Sequence, residues 1–112
     1  ARTFCFERDI EMMKSQGLIK GGSLASAIVL NDLDVINPDG LRFPNEFVRH
    51  KLLDSIGDLY VAGYPILGNL KAHCAGHEVN KLALKAILQD ESAFEIVTFD
   101  QAKEMIPDAI IA

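Results

Sequence analysis

The alternation of apolar and polar residues predicts two amphipathic helices in the middle of the chain. The first begins near Asn45, a favourable N-cap, and ends at Ala62, where Gly63 provides a stop signal. The second covers residues 77–88, and apolar residues recur on one of its sides at helical spacing. Those residues are Val79, Leu82, Ala83, Ala86 and Ile87. Both helices should therefore pack one face against a core.

The opening of the chain predicts a strand–helix–strand unit followed by a buried strand. Residues 7–16 have helical composition and end at Gly17, where a glycine commonly terminates a helix. Short apolar pieces lie on both sides, at residues 3–6 and 18–19. The continuous apolar run 27–30 is rich in β-branched residues and predicts a strand buried on both faces.

The rest of the chain predicts further strands. Residues 37–40, Asn-Pro-Asp-Gly, are a strong turn signal between two short apolar segments and predict a hairpin. Residues 67–72 are bounded by glycines, and residues 94–99 alternate as a strand does. Strands interleaved with helices predict an α+β or α/β two-layer domain.

Composition and charge describe one ordinary globular domain. The chain has 112 residues, 49% of them hydrophobic, and its 11 Lys and Arg against 16 Asp and Glu give a net charge of −5. This acidic balance disfavours nucleic acid as a partner, and no apolar run approaches the roughly 18 residues of a membrane span. The two cysteines, Cys5 and Cys74, are expected to be inert, reduced thiols in the cytoplasm. Because the chain begins at Ala1 without a Met, we expect it to be processed or part of something longer.

A stripe of one histidine and two aspartates runs along the first predicted helix. His50, Asp54 and Asp58 recur every four residues, so they cover roughly 80° of the helix circumference. On the opposite side, where the core is expected, lie Val48, Leu52, Ile56 and Leu59. A His–x3–Asp pair at this spacing can bind one zinc ion. The alternative is an ordinary solvated polar face, which more often explains such a pattern taken alone.

A second candidate lies at the start of the second helix. His77 follows Gly76 at the predicted strand-to-helix junction, where a side chain can be exposed at the edge of a sheet. A surface histidine without a role is the alternative interpretation. The sequence contains no nucleophilic triad order, no phosphate-binding loop and no dinucleotide fingerprint.

Residues 47–59, FVRHKLLDSIGDL, resemble the signature helix of the UDP-3-O-acyl-N-acetylglucosamine deacetylases, the zinc amidases of lipid A and lipopolysaccharide biosynthesis. Other family motifs follow in order along nearly the whole chain: Ala-Arg-Thr-Phe at 1–4, Gly-Gly-Ser at 21–23, the turn at 37–42, Gly-His-x-x-Asn at 76–80 and Val-Thr-Phe at 97–99. The resemblance implies an α+β fold, a two-layer α/β sandwich whose mixed sheet has helices packed on one face. The opening strand–helix–strand would be an insert. Residues 1–112 would form one domain, the second of a two-domain enzyme, lacking its first strands.

The resemblance also implies a role for each candidate in the polar stripe. His50 and Asp54 would be two of the three protein ligands of a Zn²⁺ ion. Asp58 would orient and charge His77. His77 would be the catalytic acid that stabilises the oxyanion and protonates the leaving amine.

Contacts with the substrate, a UDP-linked acylated glucosamine, are implied in the same way. Lys51 would face the phosphates, Thr3 would bond near the zinc-bound water, and Phe4 would contact the sugar. The insert would wall a tunnel for the acyl chain, with these residues near the lipid: Ile10, Leu18, Ile19, Leu24 and Ala27.

Part of the active site would then lie outside this chain. In the family, a third zinc ligand (a histidine) and a general-base glutamate belong to the N-terminal half, which is the expected partner. The parent protein is expected to be a cytoplasmic zinc-dependent amide hydrolase, with the isolated chain inactive. The alternative is a non-catalytic fragment or binding module that keeps only the lipid- and nucleotide-contacting surface.

Overall fold

The computed structural model describes residues 1–106 and has an α+β architecture, which confirms the predicted fold class. In chain order the elements are β1 (Thr3–Phe6), a 3₁₀ turn (Glu7–Asp9), α1 (Ile10–Ser15), β2 (Ala27–Leu30), α2 (Glu46–Tyr60), α3 (His77–Gln89) and α4 (Phe99–Met105). The helices α1, α2 and α3 lie within their predicted ranges or one residue beyond them. Helix α4 was not predicted.

The chain divides into two compact units, Ala1–Leu53 and Asp54–Ala112, and each is described by itself. The boundary falls inside α2, so the first part of this helix belongs to the first unit and the rest to the second. Within residues 1–106, no helix combines the length and the apolar character that crossing a membrane requires.

The first unit is built on a pair of parallel strands, β1 and β2. Thr3 lies beside Ala27 and Cys5 beside Val29, so these four side chains share one face of the pair. Helix α1 lies between the strands in sequence and is followed by Gly17, as predicted. The φ of Gly17 is +75°, a left-handed conformation that glycine adopts without steric cost.

The strand predicted at residues 18–19 is wrong. The Leu18 N–H donates to the Met13 carbonyl at 2.9 Å, which closes the end of α1. Ile19 has a φ of +50°, so the backbone here is not extended, and β2 takes the place beside β1. Among residues 1–106 the sheet consists of these two parallel strands, and the mixed sheet and the sandwich stay predictions.

The predicted turn at residues 37–40 forms, but the segments on either side of it make no hairpin within residues 34–43. The buried side chain of Asn37 instead bonds the edge of β2. The Val29 N–H donates to Asn37 Oδ1 at 2.8 Å, and Asn37 Nδ2 donates to the Ala27 carbonyl at 2.8 Å. A side-chain amide therefore supplies bonds that a neighbouring strand would otherwise make.

A buried ion pair between Arg2 and Glu46 joins the start of β1 to the start of α2. Arg2 Nε donates to Glu46 Oε1 at 3.0 Å, and both side chains are almost fully buried. The backbone N–H groups of Arg2 and Arg42 also donate to this carboxylate, at 2.9 and 2.6 Å. The hydrogen bonds from the Arg2 side chain lower the pKa of Glu46 to about 2, although burial opposes the change.

The second unit contains the end of α2, then α3 and α4. The strands predicted at residues 67–72 and 94–99 are wrong, because the first segment is irregular and the second runs into a helix cap. The Gln101 N–H donates to Thr98 Oγ1 at 3.3 Å, and the Thr98 N–H donates to Gln101 Oε1 at 2.8 Å. This reciprocal capping box starts α4 where the alternating pattern suggested that a strand continued.

The predicted core faces of α2 and α3 are largely exposed. On them, Leu59 is half-buried and the exposed large side chains are Val48, Leu52, Ile56, Val79, Leu82 and Ile87. The buried side chains of α3 are instead Asn80 and Leu84, and α2 buries Glu46 and Ser55. Among the described residues the sheet has only two strands of four residues each. The prediction that these faces form the core is therefore wrong for residues 1–106.

We expect the Glu46 carboxylate to make the chain sensitive to acid. Its pKa is lowered from 4.5 to about 2, so folding favours the ionised form. The resulting contribution to the free energy of unfolding is complete above pH 4.5 and is lost as the pH falls toward about 2. Urea denaturation at a series of pH values should show this decline. In Glu46→Gln, the stability at neutral pH should be lower and its decline over this range shallower.

The control for this experiment is Glu11→Gln, which removes an exposed carboxylate on α1. Its acid profile should follow that of the wild type. If Glu46→Gln kept the wild-type slope, the ion pair could not be the source of the acid sensitivity.

Candidate active site

A hydrogen-bonded pair of His77 and Asp58 is the centre of a polar cluster in the second unit. His77 is the first residue of α3, and Asp58 lies near the end of α2. His77 Nδ1 donates to Asp58 Oδ2 at 2.8 Å, with Oδ1 at 3.0 Å. Because a carboxylate can only accept, this bond places a proton on Nδ1 and fixes the orientation of the ring. The imidazole itself is 71% exposed, so a substrate could reach it.

A buried asparagine holds the Asp58 carboxylate. Asn80, three residues beyond His77 on α3, donates from Nδ2 to Asp58 Oδ2 at 2.8 Å and lies 3.4 Å from Ser55 Oγ. Asn80 and Ser55 are both buried. Since buried polar groups need hydrogen-bond partners, this arrangement favours a single position of the carboxylate.

Asp54 lies one turn before Asp58 on α2 and approaches the second nitrogen of His77. The distance from His77 Nε2 to Asp54 Oδ2 is 4.0 Å, which is an ion-pair distance and too long for a hydrogen bond. The imidazole therefore lies between two carboxylates. One accepts its Nδ1 proton, and the other is close to Nε2.

In the first unit, β1 and the beginning of α2 bring Phe4 and His50 together. Their ring centroids are 6.3 Å apart, and Phe4 also packs edge-on against Phe47 at 4.9 Å. His50 Nδ1 lies 3.4 Å from the Ala1 carbonyl oxygen. A carbonyl can only accept, so this contact favours the proton on Nδ1 and the lone pair on Nε2. Lys51 Nζ lies 5.5 Å from the Phe4 ring centroid, within range of a cation–π interaction.

His50 and Asp54 carry donor atoms that suit a zinc site. They are four residues apart on α2, a spacing at which side chains lie on the same side of a helix. Imidazole nitrogen and carboxylate oxygen are both typical zinc ligands, but a catalytic zinc ion takes three protein ligands. Among residues 1–106, no group of three His, Cys, Asp or Glu side chains is placed to hold a metal ion. The donors therefore fit zinc in kind and are one ligand short.

An apolar cavity of about 540 Å³ lies in the first unit. Four of the residues predicted to contact an acyl chain line it: Ile10, Ile19, Leu24 and Ala27. Leu18, predicted with them, is outside the lining and 53% exposed. Thr3 and Phe4 also line the cavity, and Phe4 is the residue that approaches His50.

Three residues of these clusters have no predicted role: Asn80, Ser55 and Cys5. Two of them had a signal in the sequence. Asn80 is three residues after His77, so both lie on one side of α3, and Cys5 alternates with Thr3 on one face of β1. For Ser55 the sequence offers no signal, because its contact with Asn80 joins residues that are far apart along the chain.

A comparison with protein-family models matches residues 1–89 to the family described as UDP-3-O-acyl N-acetylglycosamine deacetylase. The chain belongs to this deacetylase family. The matched range contains all of the residues discussed above as candidates, including those of the cavity.

Three bacterial members of the deacetylase family illustrate the similarity. The UDP-3-O-acyl-N-acetylglucosamine deacetylase of Haemophilus influenzae (strain PittEE) is 54% identical over 112 residues, which are 100% of this chain and 36% of the relative. The Pasteurella multocida (strain Pm70) protein of the same name is 56% identical over 107 residues, 96% of this chain and 35% of the relative. The Neisseria gonorrhoeae (strain ATCC 700825 / FA 1090) protein is 52% identical over 109 residues, 97% of this chain and 35% of the relative. The chain thus spans about a third of the length of these relatives.

The Asp58 contact predicts the tautomer of neutral His77. In the neutral ring the proton should stay on Nδ1, because Asp58 accepts it. The ¹⁵N chemical shifts of the ring nitrogens distinguish the two tautomers. In Asp58→Ala the proton should move largely to Nε2, while the signals of the exposed His73 should not change. The same Nδ1–H tautomer in both proteins would show that Asp58 does not orient the ring.

Proposed function

We propose that this chain is the C-terminal portion, within the second domain, of a zinc-dependent deacetylase that hydrolyses the acetamide of UDP-3-O-acyl-N-acetylglucosamine in lipid A biosynthesis. Membership of the family supports the reaction class. The observation that carries the proposal is the His77–Asp58 hydrogen bond, which joins two separate motifs 19 residues apart. Nothing in the local sequence requires these residues to meet, but an amide hydrolase needs an oriented acid.

His50 and Asp54 are the residues that would hold the zinc ion. The Ala1 carbonyl near His50 Nδ1 supports this role, because a backbone carbonyl at one ring nitrogen orients the imidazole, as is usual for metal-binding histidines. When bound, zinc polarises the amide carbonyl and lowers the pKa of its water toward about 7. The remaining protein ligand and the general base would come from the N-terminal half of the protein.

His77 supplies the proton that the leaving amine requires. Amines are poor leaving groups unless they are protonated, so amide hydrolysis benefits from a positioned acid. The Asp58 carboxylate accepts from Nδ1 and orients the ring, and Asn80 keeps that carboxylate in position. The proton delivered to the substrate is therefore the one on Nε2, and its delivery leaves the Nδ1–Asp58 bond intact.

The first unit binds the substrate in this proposal. Lys51 provides a positive charge for the diphosphate, and its ammonium already lies near the face of Phe4, the residue assigned to the sugar. Thr3, on the same strand, is assigned to the water at the metal. The cavity lined by Ile10, Ile19, Leu24 and Ala27 is suited to an acyl chain, because its walls are largely apolar.

The exposed apolar faces of α2 and α3 support a partner for this chain, and we assign that role to the N-terminal half of the same protein. Apolar side chains grouped on one face of a helix often mark an interaction site. In this proposal the isolated chain is inactive, because it lacks a ligand and a base. The other candidate function is that of a non-catalytic binding module. The cytoplasmic location of the protein stays a prediction.

We expect the chain to bind zinc weakly through His50 and Asp54. Two ligands leave most of the coordination sphere to water, so the affinity should be far below that of a structural zinc site. Isothermal titration calorimetry should show heat of zinc binding for the wild type and little for His50→Ala or Asp54→Ala. The control is His73→Ala, which removes an exposed histidine outside the stripe. Binding that survives in both stripe variants would exclude these ligands.

In the complete deacetylase, we expect His77→Ala to lower kcat by roughly 100- to 10,000-fold with a much smaller change in KM, since proton donation acts in the transition state. Asp58→Asn should lose less, roughly 10- to 100-fold, because it removes only the group that orients the acid. Steady-state kinetics with zinc-loaded enzyme measures both. If His77→Ala raised KM and left kcat unchanged, His77 would be a binding residue, and a binding module would become the better description of this cluster.

A further inference from the structure

We propose that Cys5 determines which acyl chains the cavity of the first unit accepts. The proposal rests on the proposed function in one respect, the identity of the occupant as an acyl chain. It assigns Cys5 as a specificity-determining residue of the wall, with no part in the chemistry.

The strand register places Cys5 on the cavity side of the sheet. Cys5 is paired with Val29, and Thr3 with Ala27, so alternation puts all four side chains on one face. All four line the cavity. The two phenylalanines of β1 alternate with them; Phe4, at the start of the strand, also lines the cavity, whereas Phe6 lies outside the lining.

The position of Cys5 along β1 separates it from the candidate catalytic residues. Phe4, next to Thr3, approaches His50, whereas Cys5 is two residues beyond Thr3, about 7 Å along the strand. An acyl chain that passes Thr3 and follows this face therefore meets Cys5 at a distance from the reacting amide. Ile10 and Met13 of α1 line the same cavity.

The chemistry of the thiol fits a wall residue. Cys5 is half-buried, and burial raises the pKa of its thiol, with a further contribution from the charge of Asp9. A neutral thiol behaves as a small apolar group that tolerates contact with methylenes. Among apolar side chains it is also short, so substitutions can both widen and narrow the cavity at this point.

Substitutions at Cys5 should shift the acyl-chain preference in opposite directions. Cys5→Ala widens the cavity and should move the optimum of kcat/KM toward longer or bulkier chains. Cys5→Leu narrows it and should move the optimum toward shorter chains, because each methylene kept out of the cavity costs about fourfold in kcat/KM. For an acyl chain that is two methylenes too long for Cys5→Leu, kcat/KM should fall about fifteenfold. The kcat/KM for the shortest substrate should stay at the wild-type value.

The first test is a series of substrates of increasing acyl length, measured with the complete, zinc-loaded deacetylase. The matched control is Phe6→Leu, a change at the next residue of β1 on the other face, which should leave the length profile unchanged. Identical profiles in the wild type, Cys5→Ala and Cys5→Leu would overturn the proposal. A wild type that hydrolyses none of the substrates would overturn the proposed function instead.

A second test does not depend on activity or on any substitution. Alkylation by iodoacetamide is followed separately at Cys5 and at the exposed Cys74 by mass spectrometry of the peptides, with hexanoate, decanoate or tetradecanoate present. The fatty acids should slow alkylation of Cys5 several-fold, most strongly for the longer ones, and leave Cys74 unaffected. Equal rates at Cys5 with and without fatty acid would show that an acyl chain does not lie against this residue.

Discussion

The buried pair of Arg2 and Glu46 is the interaction on which the rest of the first unit depends. Neither charge has access to water, so each needs the other, and removing one would leave an uncompensated buried charge. The guanidinium also donates to the Gly40 carbonyl at 2.7 Å and to Asp39 at 3.2 Å. One side chain thereby ties together the first strand, the turn before α2 and the beginning of α2.

This ion pair also helps to position residues of the candidate active site. Arg2 is followed by Thr3 and Phe4, and Glu46 lies one turn before His50 on α2. The backbone of β1 and the helix that carries His50 are therefore fixed to the same carboxylate. No local pattern in the sequence predicts this ion pair. Its two residues are 44 positions apart, and in the sequence each looks like an ordinary charged surface residue.

The sequence predicted those features that depend on interactions between residues close together along the chain. Helices depend on contacts within one or two turns, and the positions of α2 and α3 were predicted well. The false strands at residues 67–72 and 94–99 had a suitable pattern, but a strand exists only where a partner pairs with it. Likewise, the spacing of Asp54 and Asp58 predicts neighbouring positions on α2, but it could not indicate which other segment would contact them. That segment is α3, because Asn80 contacts Asp58 and Ser55 although these residues are far apart along the chain.

The side chain of Asn37 has a consequence for how the sheet can grow. It bonds the Val29 N–H and the Ala27 carbonyl, two groups of β2 that an incoming strand would need. The amide thus occupies hydrogen-bonding groups on that edge of β2. A new strand could not pair with β2 there without first displacing the Asn37 side chain. The same contacts protect β2 from pairing with the corresponding strand of another molecule, which is a common first step in aggregation.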